Sequence, residues 1–324
     1  MQAITYHHYG TPDVLNLEDI PQRVPAEDEV LIRVHAASVN PYDWHFMRGT
    51  PKFVRMFMGV GGPRFTGLGA DVAGVVESAG AKVTRFRGGE AVFGTARGAF
   101  AEYACAKESH LAVKPEGVSF EQAATLPIAG ITALQALRDR AHVLPEQSVL
   151  INGAAGGVGT FAVQIAKILG AQVTGVCSTQ NVDLVRSIGA DAAIDYTRED
   201  FTRSLDRYDV VFDLVGNREL KDLRRALRPK GVYVGCGGGG PDRGSGEMLR
   251  GMLWLMVAGP FVSQKLTSVL ANVNAEDLGK LGAWVAAGKL RPVLDRSYQL
   301  AQTAEAVRYV ETCHARGKVT IAVA

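Results

Sequence analysis

Cysteine is scarce in this sequence and follows no pattern. Four cysteines are spread over 324 residues, at Cys105, Cys177, Cys236 and Cys313, and no two of them form a C-x-x-C pair. This spacing argues against a disulfide framework and against a cysteine-based zinc site. It is typical of a protein kept in a reducing environment, and we expect a cytoplasmic location.

The sequence also lacks an excess of charge and a long apolar run. It has 35 basic and 33 acidic residues, a difference of +2, so we expect neither nucleic acid nor an anionic membrane as partner. Its first ten residues do not have the pattern of a signal or transit peptide. The most apolar run, Met252 to Val262, has about half the ~20 residues of a membrane span. It favours a buried helix or an interface over an integral membrane segment, and a peripheral membrane contact through Trp254 and Phe261 is the alternative.

The first third of the chain has the alternation typical of β-strands. The length allows two domains, each with its own core. The strands are predicted at Glu29 to Ala36, Gly69 to Glu77 and Glu90 to Gly94. Between the first two of them, the apolar stretch Pro51 to Pro63 predicts a loop or short helix over a cleft, with a core segment as the alternative.

From about residue 121 the pattern becomes helical and then alternates strands with helices. Such alternation over ~110 residues indicates a parallel, doubly wound sheet. The tail, with a helix over Leu300 to Cys313 and a strand over Lys318 to Val323, resembles a return to the first domain. We therefore predict a discontinuous β-rich domain, residues 1–122 and 275–324, interrupted by a nucleotide-binding domain over residues 123–274.

A glycine-rich turn is the strongest single motif. The predicted strand Ser148 to Asn152 leads into Gly153-Ala154-Ala155-Gly156-Gly157-Val158-Gly159, and a helix begins there. Such a turn lets backbone N–H groups approach a pyrophosphate at the positive end of a helix. Ala154 replaces the first glycine of the fingerprint, and a purely structural turn is the alternative. Because the turn opens a series of strands and helices, we predict a dinucleotide site.

The end of the next strand indicates which dinucleotide fits. NAD sites carry an acid about 20 residues beyond the turn, where it binds the ribose 2′-hydroxyl. Here the strand ends in Ser178, Thr179 and Gln180, and no acid follows before Asp183. Small hydroxyl side chains leave room for a 2′-phosphate, which favours NADPH. A cap for the next helix is a role that Ser178 could have as well.

Ligands for a catalytic zinc are missing. Zinc requires converging cysteine, histidine or carboxylate ligands. The stretch Ser38 to Asp43 contains no cysteine, and Gly69-Ala70-Asp71 contains no histidine. We predict that the protein binds no metal and that its reaction does not depend on a metal to stabilise an alkoxide.

A set of motifs over nearly the whole chain resembles the zinc-independent medium-chain dehydrogenases/reductases. The closest resemblance is to the quinone oxidoreductase branch, which includes zeta-crystallin, reticulon-4-interacting protein and chloroplast envelope quinone oxidoreductase homologues. The motifs, in order, are Asn40-Pro41-Tyr42-Asp43-Trp44, Gly69 to Gly74, Phe100 to Tyr103, Leu126 to Ala133, Asn152 to Gly159, Gly189-Ala190-Asp191 with Asp195-Tyr196, Gly288 to Leu290 with Pro292-Val293, and Gly317-Lys318.

The resemblance implies an α/β fold with a GroES-like catalytic domain, a Rossmann domain and an active site in the cleft between them. It places Asn40 beside the nicotinamide and the substrate, and Thr132 near the nicotinamide end. Gln180 departs from the family, where a lysine or arginine is common, and His45 stands where some relatives have a tyrosine. The remaining implied cofactor contacts are the turn from Ala155 to Gly159, then Ser178, Thr179 and Tyr196 at the 2′-phosphate, and Lys318 as a C-terminal basic contact.

The function implied is hydride transfer from NADPH to an electron-poor carbon of a quinone, enal or enone. Without a metal, the developing negative charge would be stabilised by Asn40, backbone N–H groups and ribose hydroxyls, with Tyr42 or His45 as further donors. We expect Asn40 to matter more than His45. We also expect a homodimer, paired through the predicted strand Leu266 to Val273. Two alternatives stay open: an enoyl thioester reductase, and an NADPH-binding or scaffold protein with little catalysis.

Overall fold

The structure, a computed structural model, describes residues 1–237 and 262–323. The run Met252 to Val262, with Trp254 and Phe261, lies outside the described residues except for Val262. The chain forms two compact units. Unit 1 contains Met1–Ile131, Asn272–Gly288 and Leu294–Ala324; unit 2 contains Thr132–Ala271 and Lys289–Val293.

The helices and strands follow the predicted order. The strands are β1 Gln2–Thr5, β2 Asn16–Asp19, β3 Glu29–Val39, β4 Asp71–Ala79, β5 Ala91–Thr95, β6 Tyr103–Lys107, β7 Leu111–Val113, β8 Ser148–Asn152, β9 Gln172–Cys177, β10 Ala192–Asp195, β11 Tyr208–Asp213, β12 Leu227–Gly235, β13 Lys265–Ser268, β14 Leu294–Gln299 and β15 Lys318–Ala322. The α-helices are Pro41–Arg48, Arg55–Met58, Phe120–Ala124, Pro127–Gln135, Gly157–Ile168, Val182–Ser187, Leu220–Ala226, Ala275–Ala286 and Thr303–Glu311, and a π-helical turn spans Ala136–Arg140.

Unit 1 is built on a seven-stranded sheet. Its order is β14-β15-β3-β4-β5-β7, and β6 also pairs with β3. The C-terminal strand β15 is antiparallel to β3, with Val319 opposite Val39, so the tail of the chain adds a strand to this sheet. Apolar side chains such as Ile32, Val72 and Phe93 are fully buried and form its core.

Unit 2 is a parallel sheet with the order β10-β9-β8-β11-β12-β13. Every strand pair in it is parallel. The central strand β8 is apolar at consecutive positions, Val149 to Ile151, because a sheet covered on both faces buries both sides of its strands. The strand order reverses beside β8, which is the position of a dinucleotide in a Rossmann fold. The predicted α/β fold is confirmed.

Several local predictions were incomplete or wrong. The sequence predicts a break in the helical pattern at Pro127, but Pro127 begins the helix Pro127–Gln135 instead, because the first helical position needs no N–H donor. The segment Pro51 to Pro63 contains two short helical turns. Phe53, Met56 and Phe57 are exposed there, so the alternative of a core segment is wrong. Strands β1, β2, β6, β7 and β14 were not predicted, since each is short or lies next to turns.

The described residues contain no helix that is both long enough and apolar enough to cross a membrane.

Candidate active-site and nucleotide-binding residues

The glycine turn in unit 2 leaves backbone donors available. The helix Gly157–Ile168 begins after Gly156, and no side chain caps it. The first N–H groups of a helix have no acceptor within it, and the macrodipole makes this end positive. An anion can therefore bind at Gly157, Val158 and Gly159, where the sequence predicts the pyrophosphate.

Close backbone contacts explain why this turn needs glycine. Gly153 has a φ of +91°, a region that favours glycine. A Cβ added at Gly159 would lie 2.1 Å from the carbonyl oxygen of Gly153, which is too close for any side chain. At Gly156 an added Cβ would meet nothing closer than 3.5 Å. The packing is thus tight inside the turn and open at Gly156, as a cradle for a phosphate requires.

Two strand ends form the predicted 2′-phosphate site. Cys177 and Asp195 are opposite each other at the ends of β9 and β10, so Ser178 and Tyr196 follow side by side. The Ser178 hydroxyl accepts a hydrogen bond from the side chain of Asn181 at 3.1 Å, which leaves its own hydrogen free to donate. No capping bond from Ser178 to the next turn is present. Tyr196 is half exposed.

Thr179 has a different partner from the one predicted. Its hydroxyl donates to Asp195 at 2.5 Å and therefore offers no hydrogen to a phosphate in this structure. Thr197 donates to the other oxygen of Asp195 at 2.8 Å, and Arg198 lies 3.4 Å away. These bonds, the one from Thr179 first, hold the pKa of Asp195 below its usual range. The sequence analysis includes Asp195 in a family motif, next to Tyr196, but did not predict its bond to Thr179.

In unit 1, five polar residues form a group that we call the buried cluster: Ser38, Asn40, Asp43, Asp71 and Lys318. Asp71 is its centre. One carboxylate oxygen of Asp71 accepts from Ser38 at 2.7 Å and from the Asn40 amide at 2.9 Å, and the Lys318 ammonium lies 3.4 Å from it. The other oxygen accepts from the backbone N–H of Ile128 at 3.0 Å. The β-strand register produces this arrangement, because Ser38 and Asp71 are opposite each other on β3 and β4.

The geometry of Asn40 does not support its predicted role as donor to the substrate. Its amide nitrogen donates to Asp71 and, at 3.3 Å, to the carbonyl of Ser38. Its amide oxygen accepts from Lys318 at 2.6 Å. The residue is only 2% exposed. Both amide hydrogens are used inside the protein, so Asn40 positions its neighbours and has no hydrogen left for a developing oxyanion.

Asp43 is the most perturbed carboxyl of the buried cluster. It is fully buried, and one oxygen accepts from the backbone N–H of Asn40 at 2.7 Å while the other has no partner. Burial, and then the nearby Asp71, raises the pKa of Asp43 to about 7, although the N–H of Asn40 and the charge of Lys318 oppose the rise. Asp43 therefore changes charge near neutral pH.

Tyr42 is the most exposed of the three predicted catalytic residues. It lies in the first turn of the helix Pro41–Arg48, is 45% exposed and packs against Phe46 with ring centroids 4.1 Å apart. Burial of part of the ring, and then Asp43, raises the pKa of Tyr42, while Arg97 opposes the rise. The phenol is therefore protonated at neutral pH and can donate a hydrogen bond.

His45 lies one turn further along the same helix, and its ring contacts its neighbours. Its Nδ1 is 3.2 Å from the carbonyl oxygen of Thr50, and its ring stacks on Trp44 at 3.7 Å. Burial lowers the pKa of His45, against the effect of Thr50, so the imidazole is neutral at pH 7. A catalytic role for His45 stays a prediction.

Lys318 and Thr132 were predicted to contact the cofactor. The Lys318 ammonium is buried, with the amide oxygen of Asn40, the carbonyl of Val39 and the carboxylate of Asp71 around it. Three acceptors use its three hydrogens, so its contacts in this structure are all within unit 1. Thr132 is buried in the helix Pro127–Gln135, and its contact with a cofactor stays a prediction.

Comparison with known proteins adds independent evidence. A model of the alcohol dehydrogenase GroES-like domain matches residues 26–116, and a zinc-binding dehydrogenase model matches residues 188–321. Despite the second name, no group of three or more potential metal ligands occurs among residues 1–237 and 262–323.

Two named plant proteins and one solved structure are similar to the chain over nearly its whole length. The 2-methylene-furan-3-one reductase of Solanum lycopersicum is 37% identical, over 99% of this chain and 79% of its own. The chloroplastic NADPH-dependent alkenal/one oxidoreductase of Arabidopsis thaliana is 36% identical with the same coverage. The structure of the quinone oxidoreductase from Coxiella burnetii superposes with a TM-score of 0.88 at 33% identity, over 100% of this chain and 99% of its own.

Proposed function

This chain belongs to the medium-chain dehydrogenase/reductase family, in the group of quinone oxidoreductases and alkenal reductases, and from that premise we propose that it is an NADPH-dependent reductase of quinones and α,β-unsaturated carbonyl compounds. The names of its relatives support the reductase class, and one of them names NADPH. The observation that carries the proposal is the uncapped glycine turn beside two strand ends that offer hydroxyl donors.

The residues of unit 2 fit the parts of the cofactor. The amides of Gly157 to Gly159 would hold the pyrophosphate. Ser178 has a free hydroxyl hydrogen for the 2′-phosphate, and Tyr196 is exposed next to it. Thr179 would have to give up its bond to Asp195 to join them. When bound, NADPH supplies the hydride, and the protein supplies position and electrostatic stabilisation.

In unit 1 we assign the donor role to Tyr42. A hydride added to an enone or quinone leaves negative charge on the acceptor oxygen, and a placed hydrogen-bond donor lowers the barrier most effectively there. Tyr42 is exposed and protonated, whereas the hydrogens of Asn40 are used by Asp71 and Ser38. The buried cluster would then hold the start of the helix that carries Tyr42.

We propose that the reaction is independent of zinc. The Lys318 ammonium lies 2.6 Å from the amide oxygen of Asn40 and 3.4 Å from Asp71. A divalent cation bound to those oxygens would face this positive charge, so the donor set fits a metal poorly.

The experiment is a cofactor-oxidation screen. Purified protein is mixed with NADPH or NADH and a panel of quinones, enals, enones and enoyl thioesters, with and without a chelator. The proposal predicts turnover of quinones or enals with NADPH, unchanged by the chelator. Loss of turnover together with one tightly bound zinc per chain would contradict it. Turnover of enoyl thioesters alone would favour the thioester reductase, and NADPH binding without any turnover would favour the scaffold.

We further propose a homodimer and a cytoplasmic location. Among residues 1–237 and 262–323, β13 is the last strand of its sheet, and Leu270, just after it, is 88% exposed. An open sheet edge beside an exposed leucine is a surface that pairing with a second copy would cover. Sedimentation at micromolar concentration tests the dimer, and a single monomer species would contradict it. One relative is named chloroplastic and another is named mitochondrial. Cell fractionation is therefore the test of the proposed cytoplasmic location.

A further inference from the structure

The turn after β5 holds an arginine beside the buried cluster. Arg97 lies in this turn, whose backbone bonds to the residues just before β4. The N–H of Ala96 donates to the carbonyl of Ala70 at 2.8 Å, and the N–H of Gly98 donates to that of Gly69 at 3.0 Å. The position of Arg97 is therefore fixed relative to the strand that begins with the central carboxylate of the buried cluster.

A second arginine, Arg23, contacts this turn. The Arg23 guanidinium donates to the backbone carbonyl of Arg97, and a Cβ at Gly98 would lie 2.5 Å from it. The ring of Phe65 has Arg97 at 4.6 Å and Arg23 at 5.0 Å from its centroid. Stacking on an aromatic ring restrains a guanidinium without using its hydrogen-bond donors. Arg97 is thus held in place while its donors stay available.

The charge of Arg97 is not neutralised by a neighbouring acid. Arg97 is exposed, and no carboxylate of the described residues forms a salt bridge with it. The sequence from Trp44 to Ala70 contains no acidic residue. The positive charge of Arg97 also acts on the phenol of Tyr42, where it opposes the rise in the pKa.

We propose that Arg97 is a specificity-determining residue that gives the reductase a preference for acceptors with an anionic substituent, such as a carboxylate or sulfonate on a quinone or enone. The inference rests on the proposed function, because it takes Tyr42 as the donor to the acceptor. A guanidinium binds a carboxylate or sulfonate through paired hydrogen bonds and can stack on a planar acceptor ring.

The experiment compares two quinones that differ in charge. 2-Methyl-1,4-naphthoquinone is neutral, and 1,4-naphthoquinone-2-sulfonate carries one negative charge. In Arg97→Gln, kcat/KM for the sulfonate should fall about tenfold, as for the loss of one hydrogen bond to a charged group. The value for the neutral quinone should change less than about twofold. Raising the salt concentration should lower kcat/KM for the sulfonate in the parent and not in Arg97→Gln.

Arg87→Gln is the matched control. Arg87 is an exposed arginine in the turn after β4, at the opposite end of that strand, and its replacement removes the same charge from the protein. Arg87→Gln should leave the ratio of the two kcat/KM values as it is in the parent. Arg97→Lys, which keeps the positive charge, should keep part of the preference for the sulfonate that Arg97→Gln loses. Equal losses for both quinones in Arg97→Gln, or an unchanged ratio, would overturn the inference. If the parent reduces neither of these quinones nor any enal or enone of the cofactor-oxidation screen, the proposed function fails, which is a separate result.

Discussion

The two units form their polar sites in opposite ways. In unit 2 the site consists of backbone N–H groups that no side chain caps, at Gly157 to Gly159. In unit 1 the polar side chains of the buried cluster bond to one another, so that Asn40 and Lys318 have their hydrogens used internally. From this difference we propose that the open site at Gly157 to Gly159 binds its ligand directly, whereas the closed site, which is the buried cluster, acts by positioning Tyr42.

The largest effect is expected from opening the closed site. Lys318→Met leaves Asp71 and Asn40 buried without their cation, and removing one partner of a buried ion pair costs about 3–5 kcal/mol. The measurement is chemical unfolding followed by tryptophan fluorescence, since two of the three tryptophans, Trp44 and Trp284, belong to unit 1.

Lys107→Met is the control for this change, because Lys107 forms an exposed pair with Asp28 at 3.7 Å. That variant should lose no more than about 1 kcal/mol. A Lys318→Met protein with normal stability and weakened NADPH binding would contradict the closed site. That result would instead support the contact between Lys318 and the cofactor that the family resemblance implies.

The next effect comes from closing the open site. In Gly159→Ala the new Cβ meets the Gly153 carbonyl, so the turn must shift away from the pyrophosphate. Loss of two hydrogen bonds to a charged group should raise the Kd for NADPH on the order of 100-fold. Gly279→Ala is the control, since an added Cβ there meets nothing within 4 Å. Calorimetric titration showing equal affinity for both variants would refute the role of the turn.

The fold was more predictable from the sequence than the side-chain chemistry. Strand β8 lies where its apolar pattern predicts it, because a buried parallel strand leaves a clear signal. The glycine turn was also recognisable, since its chemistry belongs to the backbone. The direction of the Asn40 amide was not, because it depends on Asp71 and Lys318, which meet it only through the sheet register.

A smaller effect is expected from the titration of Asp43 in the buried cluster. The pKa of Asp43 is raised to about 7 by burial, whereas an unfolded aspartate titrates near ~4. The folded state therefore binds the extra proton between these values. The stability due to Asp43 is full below pH ~4 and is lost as the pH rises to about 7.

Asp43→Asn cannot titrate, so the variant should gain on the parent by at most about 1.4 kcal/mol per pH unit across this window. The measurement is the free energy of unfolding of both proteins from pH 5 to pH 8. The gain should level off above pH 7. A constant difference between the two proteins at every pH would show that Asp43 does not carry the proton.

The smallest effect concerns the choice of cofactor at the open site. NADPH should be preferred over NADH in the parent, by a modest margin because Gln180 supplies no cation. Gln180→Lys adds a charge-assisted bond and should increase the preference about 3- to 10-fold. Tyr196→Phe should reduce it by removing a hydroxyl. The ratio of kcat/KM for the two cofactors, at one salt concentration, gives the answer. A parent that prefers NADH would show that the end of β9 does not bind a 2′-phosphate.

The most direct test of the contrast between the two units is the kcat of Tyr42→Phe with saturating NADPH and a good quinone or enal. This variant keeps the ring that packs on Phe46 and loses only the hydroxyl. Loss of one placed donor predicts a fall in kcat of about 10²–10³, with the Kd for NADPH and the stability unchanged. The contradictory result is a kcat within a few-fold of the parent in Tyr42→Phe, together with a fall of that size in fully folded Asn40→Ala.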